Sequence, residues 1–523
     1  MDRLRKALPV ILPAAVLFAL AALPTTAFAQ LVPTGFTDEL VVEGLTAPTA
    51  FTRLPDGRIL IAEKDGLVRV FKNGALLGTP FIDLRSRVND YWDRGLIGIA
   101  ADPAFSTTGH VYVLYVYEND AADYSGTKTS RLTRVTAAGD TAPLSSEVVI
   151  LGAQVGSSCS NFPVGADCIP ADAPSHSVGN IKFASDGTMF VTSGDASSFN
   201  FVDDDSLRAQ SLDSLAGKML RIAPNGQGVP GNPFWNGTAT ANRSKVWSYG
   251  LRNAFRFGLR PGTSMPYLGD VGWSSWEEVN VGRAGANLGW PCYEGPYRQA
   301  GFEGFATCQA LYGLEPGGAQ APLAAYFHGN AGASVTGGAF YSGTAFPAEY
   351  RDAYFFGDYA QMTLSYLHVD ANDNLVGTVR QFATGVNGPV DIQTDGTNLL
   401  YLAINTGELR RIRHTNAPPP AGVSYVSDLG WTASNGSGPV ERDLSNGEHS
   451  SADGGPLSLG GVTYAKGLGA HAPSDIRLAL GATCSSVQAA VGVDDEVGND
   501  GSVVFEVWAD GTKLYDSGLM TGA

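Results

Sequence analysis

A turn-and-strand unit that recurs six times narrows the architectures open to this chain more than any other feature. Pro55-Asp56-Gly57 precedes the apolar run Arg58 to Glu63, Asp102-Pro103 precedes His110 to Tyr115, and Ser185-Asp186-Gly187 precedes Thr188 to Thr192. The unit returns at Arg260-Pro261, at Glu349 to Asp352 before Ala353 to Phe356, and at Thr394-Asp395-Gly396 before Leu399 to Leu402. Several copies are followed by a second apolar strand, as in Gly66 to Phe71, Gly217 to Ile222 and Gly407 to Ile412. We read each such pair as the inner part of a propeller blade. Six unevenly spaced copies between residues 35 and 414 predict an all-β six-bladed β-propeller with long loops inserted on one face. Turn spacing alone leaves a pair of β-sandwiches as the alternative. With 65 glycines in 523 residues and 16% charged residues, the composition agrees with frequent tight turns rather than helices.

The flanks differ from this core. Residues 1–29 combine Arg3, Arg5 and Lys6 with the apolar run Ala7 to Leu23 and the small-residue pattern Ala27-Phe28-Ala29, which reads as a cleaved signal peptide and a secreted or periplasmic protein. A membrane anchor is the alternative there, and two prolines in a short run speak against it. Cys159 with Cys168 and Cys292 with Cys308 suggest two local disulfides, which export permits, and Cys484 is left over. The propeller is expected over 30–415, a stiff Pro-rich connector over 416–422, and a second β-rich domain over 423–523. With 51 acidic against 34 basic residues the net charge is −17, which argues against nucleic acid and anionic lipid as partners and suits a neutral substrate.

Histidine is scarce in the propeller region, and His176 stands in the polar segment Ser175 to Asn180, just before a repeat strand. Further on come Tyr249-Gly250-Leu251-Arg252-Asn253, Gly269-Asp270-Val271-Gly272-Trp273, Trp276 to Asn280 and Gly285 to Pro291. Glycines beside Trp, Asn, Arg and Asp describe either a backbone that approaches a ligand closely or blade corners. There is no Gly-x-Ser-x-Gly elbow, no His-Glu-x-x-His and no phosphate-binding Gly-Lys-Ser/Thr. Asp203-Asp204-Asp205 reads as a solvated loop, and Asp494, Asp495, Asn499 and Asp500 read as turn residues before Gly501, with a metal site as the alternative at each.

These segments, with Asp93 to Ile99 and Asp102-Pro103-Ala104-Phe105, resemble in order the successive motifs of the glucose/sorbosone dehydrogenase family across about 380 residues. Soluble members of that family use pyrroloquinoline quinone (PQQ) and calcium. The resemblance implies that His176 is the base that takes the proton of a sugar's anomeric hydroxyl while hydride leaves C1 for the quinone. It implies that Asp195 orients His176, and it places Asp93, where soluble glucose dehydrogenases carry Gln, as a third catalytic candidate. Arg252, Asn253 and Trp273 become cofactor contacts, and the carbonyls of Gly272 and Trp273 become calcium ligands.

The chain also departs from that pattern. Ser175 replaces an acidic neighbour of the base, the family's cofactor-binding Lys aligns near Asp358, and two late arginines align near Gly388 and Val390. Without those cations either Lys or Arg from another loop meets the carboxylates of PQQ or the cofactor is bound weakly. The tail resembles the NPCBM module, a carbohydrate-binding type of jelly roll, through Tyr464 to His471 and Val491 to Glu496, and is expected to lack its last strands. The expected function is oxidation of an aldose at C1 to the lactone, with a sugar or polysaccharide as substrate and an external electron acceptor as partner. The alternative is a secreted carbohydrate-binding propeller without redox chemistry.

Overall fold

The aspartates of the repeat make the turns that the sequence implies. Asp56 accepts from the Arg58 N–H at 3.1 Å, Asp186 from Thr188 at 2.9 Å and Asp395 from Thr397 at 2.8 Å. The glycines that follow, Gly57, Gly187 and Gly396, have φ of +89°, +82° and +87°, which other residues adopt only with strain. The structure, a computed structural model, describes residues 31–328, 332–415, 423–481 and 484–522. The expected signal peptide 1–29 and connector 416–422 lie outside the described residues.

Six antiparallel sheets form the propeller. Their innermost strands are Pro48–Arg53, Leu96–Ala101, Val178–Phe183, Ala254–Leu259, Val335–Phe340 and Pro389–Thr394, in blades 1 to 6. Every repeat turn joins an innermost strand to the second strand of its blade. The strands read from the repeat are therefore the second and third of each blade, and the innermost one precedes the turn. Four of the six innermost strands contain glycine, because the backbones crowd at the axis. A Cβ on Gly179 would lie 2.3 Å from the Ala254 carbonyl oxygen, and one on Gly258 would lie 2.6 Å from that of Gly338.

The ring closes by borrowing: Phe36–Val42, from the start of the propeller, is the outer strand of blade 6 and pairs with Glu408–His414, from its end. Arg410 holds Asp38 at 2.9 Å and Arg411 holds Glu39 at 2.6 Å across that seam. Disulfides join Cys159 to Cys168 and Cys292 to Cys308, and Cys484 is free and exposed.

The second domain is β-rich, with mostly short strand pairs, and it is built onto blade 5. Trp431–Ser434 pairs with the outer strand Leu375–Thr384, and Asp475–Leu478 pairs beyond it, so this blade has six strands. Trp431, Ala433 and Val440 bury Leu31 between the two domains, and Arg380 reaches Asp475 at 2.6 Å. The Asp494 carboxylate accepts from the Ser458 N–H at 3.0 Å and Asp495 from the Gly460 and Gly461 N–H groups at 2.7 and 2.8 Å, which ties this acidic run to the Ser458 to Gly461 turn. No helix among the described residues is long and apolar enough to cross a membrane.

Candidate functional site

The face opposite the repeat turns carries the loops that enter the innermost strands and those that join second strands to third. A cavity of about 340 Å³ on this face brings together Asp93, His176, Arg252, Asn253, Gly272 and Trp273, which are distant in sequence. Asp195 lies behind them, fully buried.

Two loops of blade 3 interlock to make the centre of the site. The Gly194 N–H donates to Ser177 at 2.9 Å, and the Ala196 N–H donates to the His176 carbonyl at the same distance. A Cβ on Gly194 would sit 2.2 Å from that carbonyl oxygen, so only glycine lets the strands approach. His176 has φ +53°, and its Nδ1 lies 3.0 Å from Asp195 Oδ1. An ionised carboxylate only accepts, so Nδ1 carries the proton and Nε2 keeps its lone pair. Asp195 is held further by the Ser197 N–H at 3.0 Å, the Ser197 hydroxyl at 2.7 Å and the Trp290 indole N–H at 2.7 Å.

These contacts set the charges. Burial, helped by the Arg252 charge, pushes His176 below 6.5, and the nearby Asp195 and Asp93 offset only part of this. Burial alone would raise Asp195, but the charge and hydrogen bond of His176, with Arg252 and the Ser197 N–H, hold it below the usual carboxylate range. Neutral imidazole beside carboxylate is the state suited to accepting a proton.

Arg252 is buried and fastened from below. Its Nη1 donates to the Val271 carbonyl at 3.0 Å and to the Gly272 carbonyl at 2.7 Å, and its guanidinium lies 5.4 Å from the Trp290 ring centre. Asp270 accepts from the backbone N–H groups of Arg252 and Asn253 at 3.0 and 2.6 Å. The Gly272 carbonyl expected to bind calcium is thus engaged by Arg252. Among the described residues no group of three or more His, Cys, Asp and Glu could hold a metal ion.

The sequence reading missed Glu294. One of its oxygens accepts from four successive backbone N–H groups, Trp273 to Trp276, at 2.7 to 3.1 Å. Burial opposes ionisation of Glu294, but the N–H groups of Ser275, Trp276 and Ser274 and the Gln299 amide hold it below its ordinary value. Glu294 thereby shapes the loop that carries Gly272 and Trp273. Glu294→Gln is expected to cost about 1–2 kcal/mol, because its amide would face the Gln299 donor, and a lower urea midpoint checks this.

His328 was also missed; it lines the cavity and contacts Glu277 at 2.6 Å. Burial would lower its pKa, but the Glu277 hydrogen bond and charge prevail and raise it. The positions that depart from the family pattern have become structural. Asp358 is buried and accepts from the Tyr326 hydroxyl, Ser334 N–H and Gln361 N–H at 2.6, 3.0 and 2.8 Å. Burial and the Glu277 charge push it up to about 6. Gly388 has φ +73°, and Val390 is core between blades 6 and 1. None of the three lines the cavity.

The fold is that of a six-bladed propeller, and the family match places the chain among the propeller oxidoreductases. The Glucose / Sorbosone dehydrogenase family matches residues 45–411, and the chain belongs to that family; the NPCBM/NEW2 domain matches residues 422–523. An aldose sugar dehydrogenase of Escherichia coli K12 is 24% identical over 398 residues, covering 72% of this chain and 93% of that protein. A PQQ-bound aldose sugar dehydrogenase of Streptomyces coelicolor superposes with a TM-score of 0.53 at 21% identity, over 73% of this chain and 99% of that one. The tail is 51% identical over 111 residues to a protein of Renibacterium salmoninarum named as a candidate endo-alpha-N-acetylgalactosaminidase, covering 21% of this chain and spanning 7% of that relative.

Proposed function

We propose that the chain oxidises an aldose at C1 to the lactone in the cavity at the propeller mouth, with PQQ as its cofactor. The observation that carries this reading is the buried pair of His176 and Asp195 beside Arg252, facing a cavity of about 340 Å³.

The cavity suits a flat, anionic, polar ligand. Trp92, Phe199 and Trp273 supply aromatic walls, while Ser175 Oγ and Arg252 Nε are buried without a hydrogen-bond partner among the described residues. Arg252, with Asn253 and Ser175, would hold PQQ, and His328 adds positive charge when protonated. Bound there, PQQ would supply the acceptor for the hydride that leaves C1. His176 Nε2 takes the proton of the anomeric hydroxyl as the C1=O bond forms. His176 Nδ1 keeps its proton and goes on donating it to Asp195, whose charge stabilises the imidazolium. Asp93, exposed at the cavity, adds a second negative charge facing His176. For calcium the family resemblance offers the Gly272 and Trp273 carbonyls. Because the first accepts from Arg252, these residues do not fit the ion, and no step is derived through it.

The test is a PQQ titration of the whole chain followed by absorbance, then addition of sugars from an aldose panel. Saturable binding and sugar-driven bleaching of the quinone are expected, with Arg252→Met weakening binding about tenfold to a hundredfold. No saturable binding at micromolar cofactor would overturn the reading in favour of glycan recognition without redox chemistry.

A further inference from the structure

Blade 4 contains an excursion, residues 282–323, between its third strand Trp276–Val281 and its outer strand Ala324–Phe327. The Cys292 to Cys308 disulfide closes part of it, and Trp290 stands just before the first of these cysteines. Trp290 is 5% exposed, and its indole N–H donates to Asp195 Oδ2 at 2.7 Å. The same ring carries the Arg252 guanidinium, 5.4 Å from its centre. One side chain from blade 4 thus touches two charged groups beside His176: the carboxylate behind the imidazole and the Arg252 cation.

We propose that Trp290 is a positioning residue, which fixes the Asp195 carboxylate against His176 Nδ1 and keeps Arg252 in place at the cavity. This deepens the reading of His176 as the base and rests on it. Asp195 has two oxygens and four donors. Ser197 and His176 converge on Oδ1, so the indole and the Ser197 hydroxyl on Oδ2 determine how far the carboxylate can turn. A donor on Oδ2 also draws charge away from Oδ1 and weakens the pull of Asp195 on the imidazole proton. The charged groups facing His176 are Asp195 on its own blade, Arg252 from blade 4 and Asp93 from the loop entering blade 2. Trp290 contacts two of these three.

The experiment uses the whole chain with 15N-labelled tryptophan, in which Trp290→Phe identifies the Trp290 signal among eight indoles. The Trp290 indole signal is expected to move with pH at the midpoint of His176 and to stop moving in His176→Asn. In Trp290→Phe, loss of the donor leaves Asp195 with more charge on Oδ1, so the His176 midpoint rises, by about half to one pH unit. The same variant is expected to lower kcat about tenfold with KM little changed. An indole signal that stays flat while His176 titrates would overturn the assignment, since a merely structural tryptophan has no reason to follow that proton. If the chain oxidises no sugar, the proposed function fails, and the spectra still decide whether Trp290 is coupled to His176.

Discussion

Replacing His176 by Asn is expected to slow sugar oxidation by about 10²- to 10⁴-fold, the usual contribution of a positioned general base, while leaving the fold in place. Asn is the replacement to choose because His176 has φ +53°, a region that Asn tolerates better than most residues. Asp195 is not orphaned in the variant, since Ser197 and Trp290 still donate to it. The pH profile of the native chain gives an independent check. The base works only when neutral, and burial with the Arg252 charge sets its pKa below 6.5. Activity should therefore be level near pH 7 and fall only as pH drops through a midpoint below 6.5, with the slope of one proton. Steady-state oxidation with a dye acceptor measures both effects, and circular dichroism confirms the fold. Native rates in His176→Asn would remove His176 from the chemistry.

The fold was legible in the sequence where local chemistry dictates it. Asp-Gly turns such as Asp186-Gly187 are set by a side chain two residues from its own partner, and each marks one blade. The innermost strands were not legible, because Gly179 and Gly258 answer to backbones from neighbouring blades and not to a water-facing side. The same contrast holds at the site. His176, Asp195, Arg252, Asn253, Gly272 and Trp273 could be picked out because they stand in short motifs, and the structure gathers them at one cavity or directly behind it. Glu294, His328 and the roles of Trp290 were invisible as chemistry, since each acts across blade 4 or between blades on partners distant in sequence. The docking of the tail on blade 5 was equally hidden: a stiff Pro-rich connector does not say which blade the second domain meets, whereas Trp431 and Arg380 join the two domains side by side.

Arg256→Met is expected to cost about 3–5 kcal/mol of stability, comparable to breaking a buried charged network. Arg256 is 1% exposed and stands in the innermost strand of blade 4. Its Nη1 donates to the carbonyls of Phe255 and Gly179 at 2.9 and 3.2 Å, and its Nη2 to those of Thr49 and Ile97 at 2.6 and 2.9 Å. These acceptors belong to blades 4, 3, 1 and 2, so one guanidinium joins four of the six blades at the axis. Burial lowers its pKa to about 10, which leaves it charged at neutral pH. Methionine nearly fills the space and satisfies none of the four carbonyls, three of which face the axis from other blades. Lysine offers a single ammonium without the planar fork, so Arg256→Lys should lie between the two. Urea midpoints in the order Arg, Lys, Met are the expected result, and a Met variant as stable as the native chain would refute the tie. The strand exchange of Phe36–Val42 with blade 6 closes the ring only at its rim. A ring so closed resists opening at one seam, whereas Arg256 opposes the outward slip of each blade it touches, which is why its loss is felt across the whole propeller.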